Sequence, residues 1–196
     1  IFNLLVSLIL ASSSPFRKAI LDNLGLTFKV VAPEIYEARK ANESPIDLVS
    51  RLSKEKALAV STSHSGLIIA SDQVATLDSG ENEDDVILTK PGSHENAFLQ
   101  LKKSSGKTVN FLTGLVLMNT NTLHTQLHVE HFKVTFKILS DNQILNYLSK
   151  EDVLNCAGSF KSEGLGAELL SQMEGNDPNS LIGLPTIRLI DMLAKE

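Results

Sequence analysis

The stretch Gly66-Leu67-Ile68-Ile69-Ala70-Ser71-Asp72-Gln73-Val74-Ala75 contains the pattern that decides the fold. Its run of four apolar residues, two of them β-branched, predicts a strand at 67–70 that is buried on both faces. The polar residues that follow should emerge at a surface or a cleft. Ligands of open α/β sheets bind at the carboxyl ends of the strands, so Asp72 and Gln73 fall where chemistry is usually found. Taken alone, Asp72 could equally cap a turn.

A second strand and a helix start are predicted near the beginning of the chain. Leu8–Ala11 is apolar enough for a buried strand, and Ser14-Pro15 is typical of a helix start, with Ser at the N-cap and Pro at the first helical position. The free N–H groups and the helix dipole make such a start a candidate anion site. Arg17 and Lys18 add positive charge there, although two cations at this place are also typical of a solvated face.

A long helix is predicted to begin after Ser44 and to end near Thr62. The apolar stripe of this helix is predicted to consist of Leu48, Val49, Leu52 and either Leu58 or Ala59. Lys54 and Lys56 are predicted to lie on its other faces.

The later part of the chain predicts a hairpin and shorter helices. Two β-rich runs at 108–118 and 123–139 flank a turn of Asn and Thr residues, which favours a long antiparallel hairpin. The acidic segment 78–88 predicts a solvated loop or hairpin tip. Strands and helices alternate before this hairpin, so the predicted fold class is α/β with a mixed twisted β-sheet and flanking helices.

The composition limits the classes of function. Hydrophobic residues make up 42% and charged residues 21%, as in folded soluble proteins. A net charge of −5 argues against nucleic acid as a partner but allows a small anionic ligand. The single cysteine, Cys156, excludes an internal disulfide and fits a reducing compartment, so we expect a cytoplasmic protein.

The first residues resemble the apolar core of a signal peptide, but they lack a basic start. The run is also too short to span a bilayer, so no membrane partner is expected. We predict that residues 1–7 are a leader of uncertain origin and that 8–196 form a single domain.

Five motifs occur in one order along the chain. They are Ala11-Ser12-Ser13-Ser14-Pro15-Phe16-Arg17-Lys18, Ser71-Asp72-Gln73-Val74, Thr89-Lys90-Pro91, Ala157-Gly158-Ser159-Phe160-Lys161-Ser162-Glu163-Gly164-Leu165-Gly166 and Asp177-Pro178-Asn179-Ser180-Leu181-Ile182-Gly183-Leu184-Pro185. Each is weak alone, but together they resemble the Maf family of nucleoside triphosphate pyrophosphatases. The Ser-Asp-Gln and Phe-Lys-Ser-Glu-Gly motifs resemble the branch that hydrolyses 7-methyl-GTP.

The resemblance implies hydrolysis of a nucleoside triphosphate to the monophosphate and pyrophosphate, with a divalent metal, Mg or Mn, as cofactor. It implies an inosine-triphosphatase-like fold with two lobes around a cleft, and it makes a homodimer plausible. Matched by position, Asp72 is the catalytic acid–base residue, and Glu37 and Asp72 are the metal ligands. The phosphate-binding positions are Ser12, Arg17, Lys18, Lys56 and Lys90. The positions that set base preference are Phe16, Gln73 and Glu163.

Some of these positions depart from the family pattern or have a simpler explanation. Lys18 replaces the commoner second Arg, so a bidentate fork becomes a point charge. Phe16 stands where related sequences often have Trp, and it could simply pack under its helix. Glu163 could pair with Lys161 instead of reading a base. Thr89 replaces the usual Gly before Lys-Pro.

Two other functions stay open. One is a pyrophosphatase with broader action on canonical nucleotides such as dTTP or UTP. The other is a non-catalytic nucleotide-binding regulator of cell division or septum formation. An intact Asp72 with its lysines favours turnover over pure binding.

Overall fold

The computed structural model describes residues 6–77 and 86–196. The strands within these residues are β1 Leu8–Ala11, β2 Lys29–Val31, β3 Leu67–Leu77, β4 Val86–Leu88, β5 Thr108–Asn119, β6 Thr125–Phe136 and β7 Leu170–Gly175. The helices are α1 Pro15–Asn23, α2 Pro45–Ser61, α3 His94–Ser104, α4 Asp141–Leu148, α5 Pro178–Ile182 and α6 Thr186–Leu193. Within the described ranges, no helix combines the length and apolar character needed to cross a bilayer.

The strands form a mixed sheet in the order β2-β1-β3-β5-β6-β7, with β4 paired to β3. β1 pairs in parallel with β2 and β3, whereas the β3–β4 and β6–β7 pairs are antiparallel. The predicted mixed α/β class is therefore confirmed. The chain divides into two compact units, of which the first comprises Ile1–Asp72, Thr113–Glu130 and Asp177–Glu196. The second comprises Gln73–Leu112 and His131–Asn176.

The parallel strands β1 and β3 form the centre of the first unit. Their register runs from Leu8 opposite Leu67 to Ala11 opposite Ala70. Alternate residues of both strands enter two apolar clusters, because successive strand side chains point to opposite faces. One cluster includes residues of α1 and α6, and the other includes residues of α2. The prediction of a strand buried on both faces is confirmed.

The strand β3 is longer than predicted, because it runs on to Leu77. Its parallel pairing with β1 ends at Ala70, and from Ala75 it pairs with β4 instead. Asp72 therefore lies inside a continuous strand, just past the carboxyl end of β1, and the prediction that the strand ends at Ala70 was wrong. The predicted acidic loop contributes β4 at its end, while residues 78–85 of that loop lie outside the described residues.

Helix α2 buries Leu48, Val49 and Leu52 as predicted, but the prediction that Leu58 or Ala59 continues this stripe was wrong. Leu58 is 53% exposed, whereas Ala57 and Val60 are buried. Lys56 is also buried, at 7% exposure, so its predicted place on an outer face was wrong. It lies four residues after Leu52 and four before Val60, which puts all three on one helix face. Burial is tolerated here because the ammonium of Lys56 has two carboxylate partners, described below.

The second unit contains the far ends of the long strands and helices α3 and α4. Ser140 forms the predicted capping box at the start of α4 with Gln143. Phe160 packs against Phe111 and Phe136, with ring centroids 6.2 and 5.7 Å apart. These aromatic contacts anchor the start of the glycine-rich segment that follows Phe160.

Candidate active site

The centre of the candidate site is an ion-pair triad in the first unit, in which a buried Lys56 contacts the buried Asp72 and the exposed Glu37. The Lys56 Nζ lies 2.5 Å from Asp72 Oδ1 and 2.8 Å from Glu37 Oε1. The side chains of Lys56 and Asp72 are 9% and 12% exposed, whereas that of Glu37 is 53% exposed. A buried charge is costly unless it is paired, so the charges of Lys56 and Asp72 depend on each other. The structure brings together three residues that the resemblance singled out.

Side chains alternate between the two faces of β3, and this places the Asp72 side chain on the face that packs against α2. Ile68 and Ala70 belong to the apolar cluster that includes α2, and Asp72 continues this face two residues on. Ser53 of α2 fixes the backbone there, because its Oγ accepts the Asp72 N–H at 3.0 Å. A side chain at Gly114 would collide with Ser53 Oγ. Ser53 was missed by the sequence reasoning, since a serine inside a helix carries no motif signal.

Arg17 supplies the second positive charge near the triad. Its guanidinium is held by the carbonyl of Gly183, which accepts from Nε at 2.7 Å and from Ser71 Oγ at 2.9 Å. Burial lowers the pKa of Arg17 from its ordinary value, while the negative charges of Asp72 and Glu37 act to raise it. Arginine has five N–H donors, so the group can keep this anchor and still donate to a phosphate.

The start of α1 is built as the sequence predicts. Ser14 accepts the Arg17 N–H at 3.4 Å, and Pro15 occupies the first helical turn. Ser12 is buried, and its Oγ accepts the Ser14 N–H at 3.1 Å. Phe16 is half-buried. This local geometry places Ser12 and Arg17 at the same helix end, with an Arg17 Nη1 to Ser12 Oγ distance of 3.4 Å.

Lys18 forms an ion pair within helix α1. Its Nζ donates to Asp22 Oδ2 at 2.6 Å, one turn further along α1, and both side chains are about half exposed. This surface ion pair offsets the cation that opposes the helix dipole, and such pairs contribute roughly 0.3–0.5 kcal/mol. The phosphate contact of Lys18 stays a prediction.

The segment that carries Glu37 is fastened to α2 by Arg51. The guanidinium donates to Glu43 through Nε at 2.6 Å and through Nη2 at 2.8 Å, and it also donates to the carbonyl of Ala38 at 3.0 Å. The side chains of Arg51 and Glu43 are 15% and 8% exposed. A bidentate pair of this kind gives geometric definition. It fixes the chain at Ala38, directly after Glu37, and at Glu43, and so restricts where Glu37 can lie.

The Arg51–Glu43 ion pair predicts that the free energy of unfolding falls at acid pH. The hydrogen bond from Arg51 lowers the pKa of Glu43 from 4.5 to about 2, with burial acting in the opposite direction. A depressed pKa contributes stability that is complete above about pH 4.5 and is lost as the pH falls toward about 2. Glu43→Gln should therefore flatten the fall in unfolding free energy over this range, measured by urea denaturation.

The matched control for this experiment is Glu34→Gln, which removes an exposed carboxylate from the same segment. The control should keep the wild-type pH dependence. A Glu43→Gln variant with the wild-type pH dependence would contradict the stabilising role assigned to the Arg51–Glu43 ion pair.

The second unit holds the other predicted residues. Gln73 is half-buried in β3, directly after Asp72, and Lys90 is exposed in the turn that follows β4. Glu163 is exposed, and its carboxylate accepts from Ser162 Oγ at 3.3 Å. Lys161 Nζ is 3.2 Å from Glu151 Oε2. The sequence did not single out Glu151 as a partner of Lys161.

The model of the Maf-like protein family matches residues 7–196. The chain belongs to the Maf family.

Curated Maf relatives match over nearly their full lengths. A protein of Pseudoalteromonas atlantica named 7-methyl-GTP pyrophosphatase is 52% identical over 190 residues, covering 97% of this chain and 95% of its own. A protein of Alcanivorax borkumensis with the same name is 50% identical over 191 residues, covering 97% and 94%. The predicted resemblance to this branch of the Maf family is confirmed.

A solved structure supports the fold of this Maf protein. The Staphylococcus aureus Ham1 protein aligns with a TM-score of 0.50 at 10% identity, covering 96% of this chain and 98% of that one. At this identity the likeness concerns the fold alone.

The metal that the Maf resemblance implies can be tested against the triad. In residues 6–77 and 86–196, no group of three or more His, Cys, Asp or Glu residues is arranged to hold a metal. The carboxylates of Asp72 and Glu37 nevertheless converge on one point, because both contact Lys56 Nζ. Mg²⁺ is commonly bound by one or two carboxylates together with substrate phosphates and waters. The donor set therefore fits a metal that arrives with a nucleotide.

The half-buried Cys156 takes no part in this chemistry. Burial raises the pKa of its thiol to about 11, and the nearby charge of Glu163 acts in the same direction. The thiol therefore stays protonated at neutral pH, and it is a poor nucleophile. This environment fits a simple packing role for Cys156.

Proposed function

We propose that this protein hydrolyses 7-methyl-GTP to 7-methyl-GMP and pyrophosphate. The observation that carries the proposal is the buried Lys56–Asp72 ion pair, with Glu37 as a second partner of Lys56 and with Arg17 beside it. The relatives at about 50% identity with this activity in their names support the substrate. Cytoplasmic location and a homodimer stay predictions.

The reaction is an attack of water on the α-phosphorus. A bond forms between the water oxygen and this phosphorus, the bond to the bridging oxygen breaks, and pyrophosphate leaves with the electron pair. We assign to Asp72 the orientation of the water and the acceptance of its proton. Lys56 holds Oδ1 of this carboxylate, which fixes its orientation and leaves Oδ2 as the proton acceptor. A carboxylate held in place needs little reorganisation during the reaction.

The positive side chains act on the phosphates. Phosphoryl transfer relies mainly on positioning and on stabilising the charge that develops on the leaving oxygens. Arg17 suits this role, because its anchoring through Nε leaves Nη groups to donate in a fork. Ser12, Lys18 and Lys90 are assigned weaker phosphate contacts. Lys90 is exposed, so a phosphate can reach its ammonium group directly from solvent.

A divalent metal fits this scheme at Asp72 and Glu37. When bound, Mg or Mn would neutralise phosphate charge and lower the pKa of a bound water. Both carboxylates already face one cation, Lys56, so the local arrangement tolerates positive charge. Glu37 is the more exposed of the two, so an arriving ion can reach its carboxylate from solvent.

Base selection is assigned to Phe16, Gln73 and Glu163. N7-methylation makes guanine cationic, so an aromatic face gains a cation–π contribution of roughly 1–2 kcal/mol when water is excluded. The Glu163 carboxylate can accept from the N1–H and N2–H edge of guanine, and charge-assisted bonds of this kind are the stronger ones. Gln73 can donate to O6.

The substrate assay separates the three functions under consideration. The protein is incubated with 7-methyl-GTP, GTP, UTP or dTTP in the presence of magnesium, and pyrophosphate release is measured. We expect selective release from 7-methyl-GTP. Equal release from all four nucleotides would favour the broader pyrophosphatase, and no release would favour the non-catalytic regulator.

Glu163→Gln should reduce the preference for 7-methyl-GTP over GTP by about tenfold, because a neutral amide replaces a charge-assisted acceptor. The ratio of kcat/KM values for the two nucleotides measures this effect. Glu168→Gln is the matched control, since it removes an exposed carboxylate five positions along the chain. An unchanged ratio in Glu163→Gln would contradict the assigned role.

A further inference from the structure

The segment 161–165, which carries Glu163, is held at both ends by a single side chain. Glu151 Oε1 accepts the Leu165 N–H at 2.7 Å, and Glu151 Oε2 lies 3.2 Å from Lys161 Nζ. The Glu151 side chain is 11% exposed. The Leu165 N–H and the Lys161 ammonium both lower the pKa of this carboxyl group, so it stays ionised at neutral pH. Each oxygen of Glu151 is therefore used at a different end of the segment.

Helix α4 supplies a second anchor beside the first. The hydroxyl of Tyr147 accepts the backbone N–H of Lys161 at 3.1 Å. Glu151 follows Tyr147 by one turn, and its own N–H donates to the Tyr147 carbonyl at 3.1 Å. Tyr147 lies in the last turn of α4 and Glu151 lies just beyond it. The segment is therefore anchored to the end of a helix and not only to neighbouring loops.

The glycines of this segment allow the close approach. A Cβ at Gly164 would collide with the carboxylate of Glu151, and a Cβ at Gly166 would collide with the Lys161 carbonyl. Glycine is the residue that permits such contact between a backbone and a neighbouring group. The position of Glu151 thus explains Gly164, and the close approach of the Lys161 backbone explains Gly166.

Glu151 and Glu163 both interact with the ammonium group of Lys161. Lys161 stands two residues from Glu163, and the negative charge of Glu163 raises the pKa of Lys161 after the larger contribution of its hydrogen bond to Glu151. A carboxylate that engages the Lys161 ammonium competes with Glu163 for it. Glu151 therefore both fixes the backbone of the segment and draws the neighbouring cation away from the base-reading carboxylate.

We propose that Glu151 is a positioning residue for base selection: it sets the preference for the methylated base by fixing segment 161–165 and holding Lys161. The proposal rests on the proposed function, since Glu163 is taken as the residue that reads guanine. Glu151 touches neither the substrate nor the reacting phosphate, and it acts through Glu163. Loss of Glu151 should therefore weaken nucleotide binding in the ground state and in the transition state alike, which raises KM and spares kcat.

The experiment measures kcat and KM for 7-methyl-GTP and GTP in the wild type, Glu151→Ala, Glu151→Gln and Glu163→Gln. For Glu151→Ala we expect KM for 7-methyl-GTP to rise about tenfold, kcat to stay within about threefold, and the preference over GTP to fall about tenfold. Glu151→Gln keeps an acceptor for Leu165 but loses the charge that holds Lys161, so its preference should fall at least threefold. Glu168→Gln, the exposed control, should match the wild type.

A double variant tests whether Glu151 acts through Glu163. In the Glu163→Gln background, Glu151→Ala should change the preference by less than about twofold, because residues that act through one contact are not additive. A further tenfold loss in this background would overturn the proposal. A general weakening of the fold would lower the rates for both nucleotides equally and leave their ratio unchanged.

The outcomes separate this inference from the proposed function. A wild type without preference for 7-methyl-GTP contradicts the proposed function and the inference with it. A wild-type preference that Glu151→Ala leaves intact overturns the inference alone. If Glu151→Ala is too unstable to purify, Glu151→Gln decides: a threefold or larger loss of preference supports the inference, and the wild-type ratio overturns it.

Discussion

Asp72→Asn is expected to lower kcat for 7-methyl-GTP by a factor of about 10²–10⁴, the range typical for the loss of a general base. The amide keeps the size of the side chain and can still accept from Lys56, but it cannot take a proton from water. KM should change much less than kcat, because the role assigned to Asp72 is exerted in the transition state. Steady-state pyrophosphate release measures both constants.

The Asp72→Asn variant should stay folded, because Ser53 continues to bind its backbone N–H and Lys56 keeps Glu37 as an ionic partner. Its thermal unfolding and its circular dichroism spectrum provide the control. Asp22→Asn removes an exposed carboxylate from α1 and should retain the wild-type kcat. A folded Asp72→Asn enzyme with kcat within threefold of the wild type would refute the assignment.

Lys56→Met is expected to have the largest effect on stability. It leaves the carboxylate of Asp72, which is 12% exposed, without its cation and facing Glu37. Removing one partner of a buried pair costs about 3–5 kcal/mol, and the partial exposure of Glu37 favours the lower end of this range. Urea unfolding measures the loss. Catalysis should also fall sharply, because the orientation of Asp72 is lost.

Two further variants identify the cause of this loss. Lys54→Met changes an exposed lysine on the same helix and should alter stability by less than about 0.5 kcal/mol. Combining Lys56→Met with Asp72→Asn removes the unpaired charge, so part of the stability should return while activity stays absent. A double variant no more stable than Lys56→Met alone would show that the ion pair is not the source of the effect.

Apolar periodicity predicted the elements that depend on local pattern. The strands 8–11 and 67–70, the caps at Ser14 and Ser140, and the hairpin of β5 and β6 follow from residues close in sequence. The extension of β3 to Leu77 did not, because the acidic segment 78–88 indicated a solvated loop or hairpin tip and gave no separate signal for the strand β4 that pairs with β3. Strand pairing across such a distance has no local signal.

In the candidate site, too, some features have a signal in the sequence and others depend on packing between distant segments. The family resemblance singled out Asp72, Arg17 and Lys56, but helical periodicity placed Lys56 on an outer face, whereas it is buried. Its partner Asp72 lies 16 positions away in the chain, and only the packing of α2 on β3 reveals the pair. Glu151 likewise stands as an ordinary acid after α4. Its role becomes visible only through its contacts with Lys161 and Leu165.

Hydrolysis in water labelled with oxygen-18 tests the central claim most directly. The wild-type enzyme and Asp72→Asn are given 7-methyl-GTP and magnesium, and the products are analysed by mass spectrometry. The account predicts that the wild type places one labelled oxygen in 7-methyl-GMP and none in pyrophosphate, and that Asp72→Asn forms neither product at a comparable rate. Label in pyrophosphate, or release of 7-methyl-GDP and phosphate, would contradict attack at the α-phosphorus.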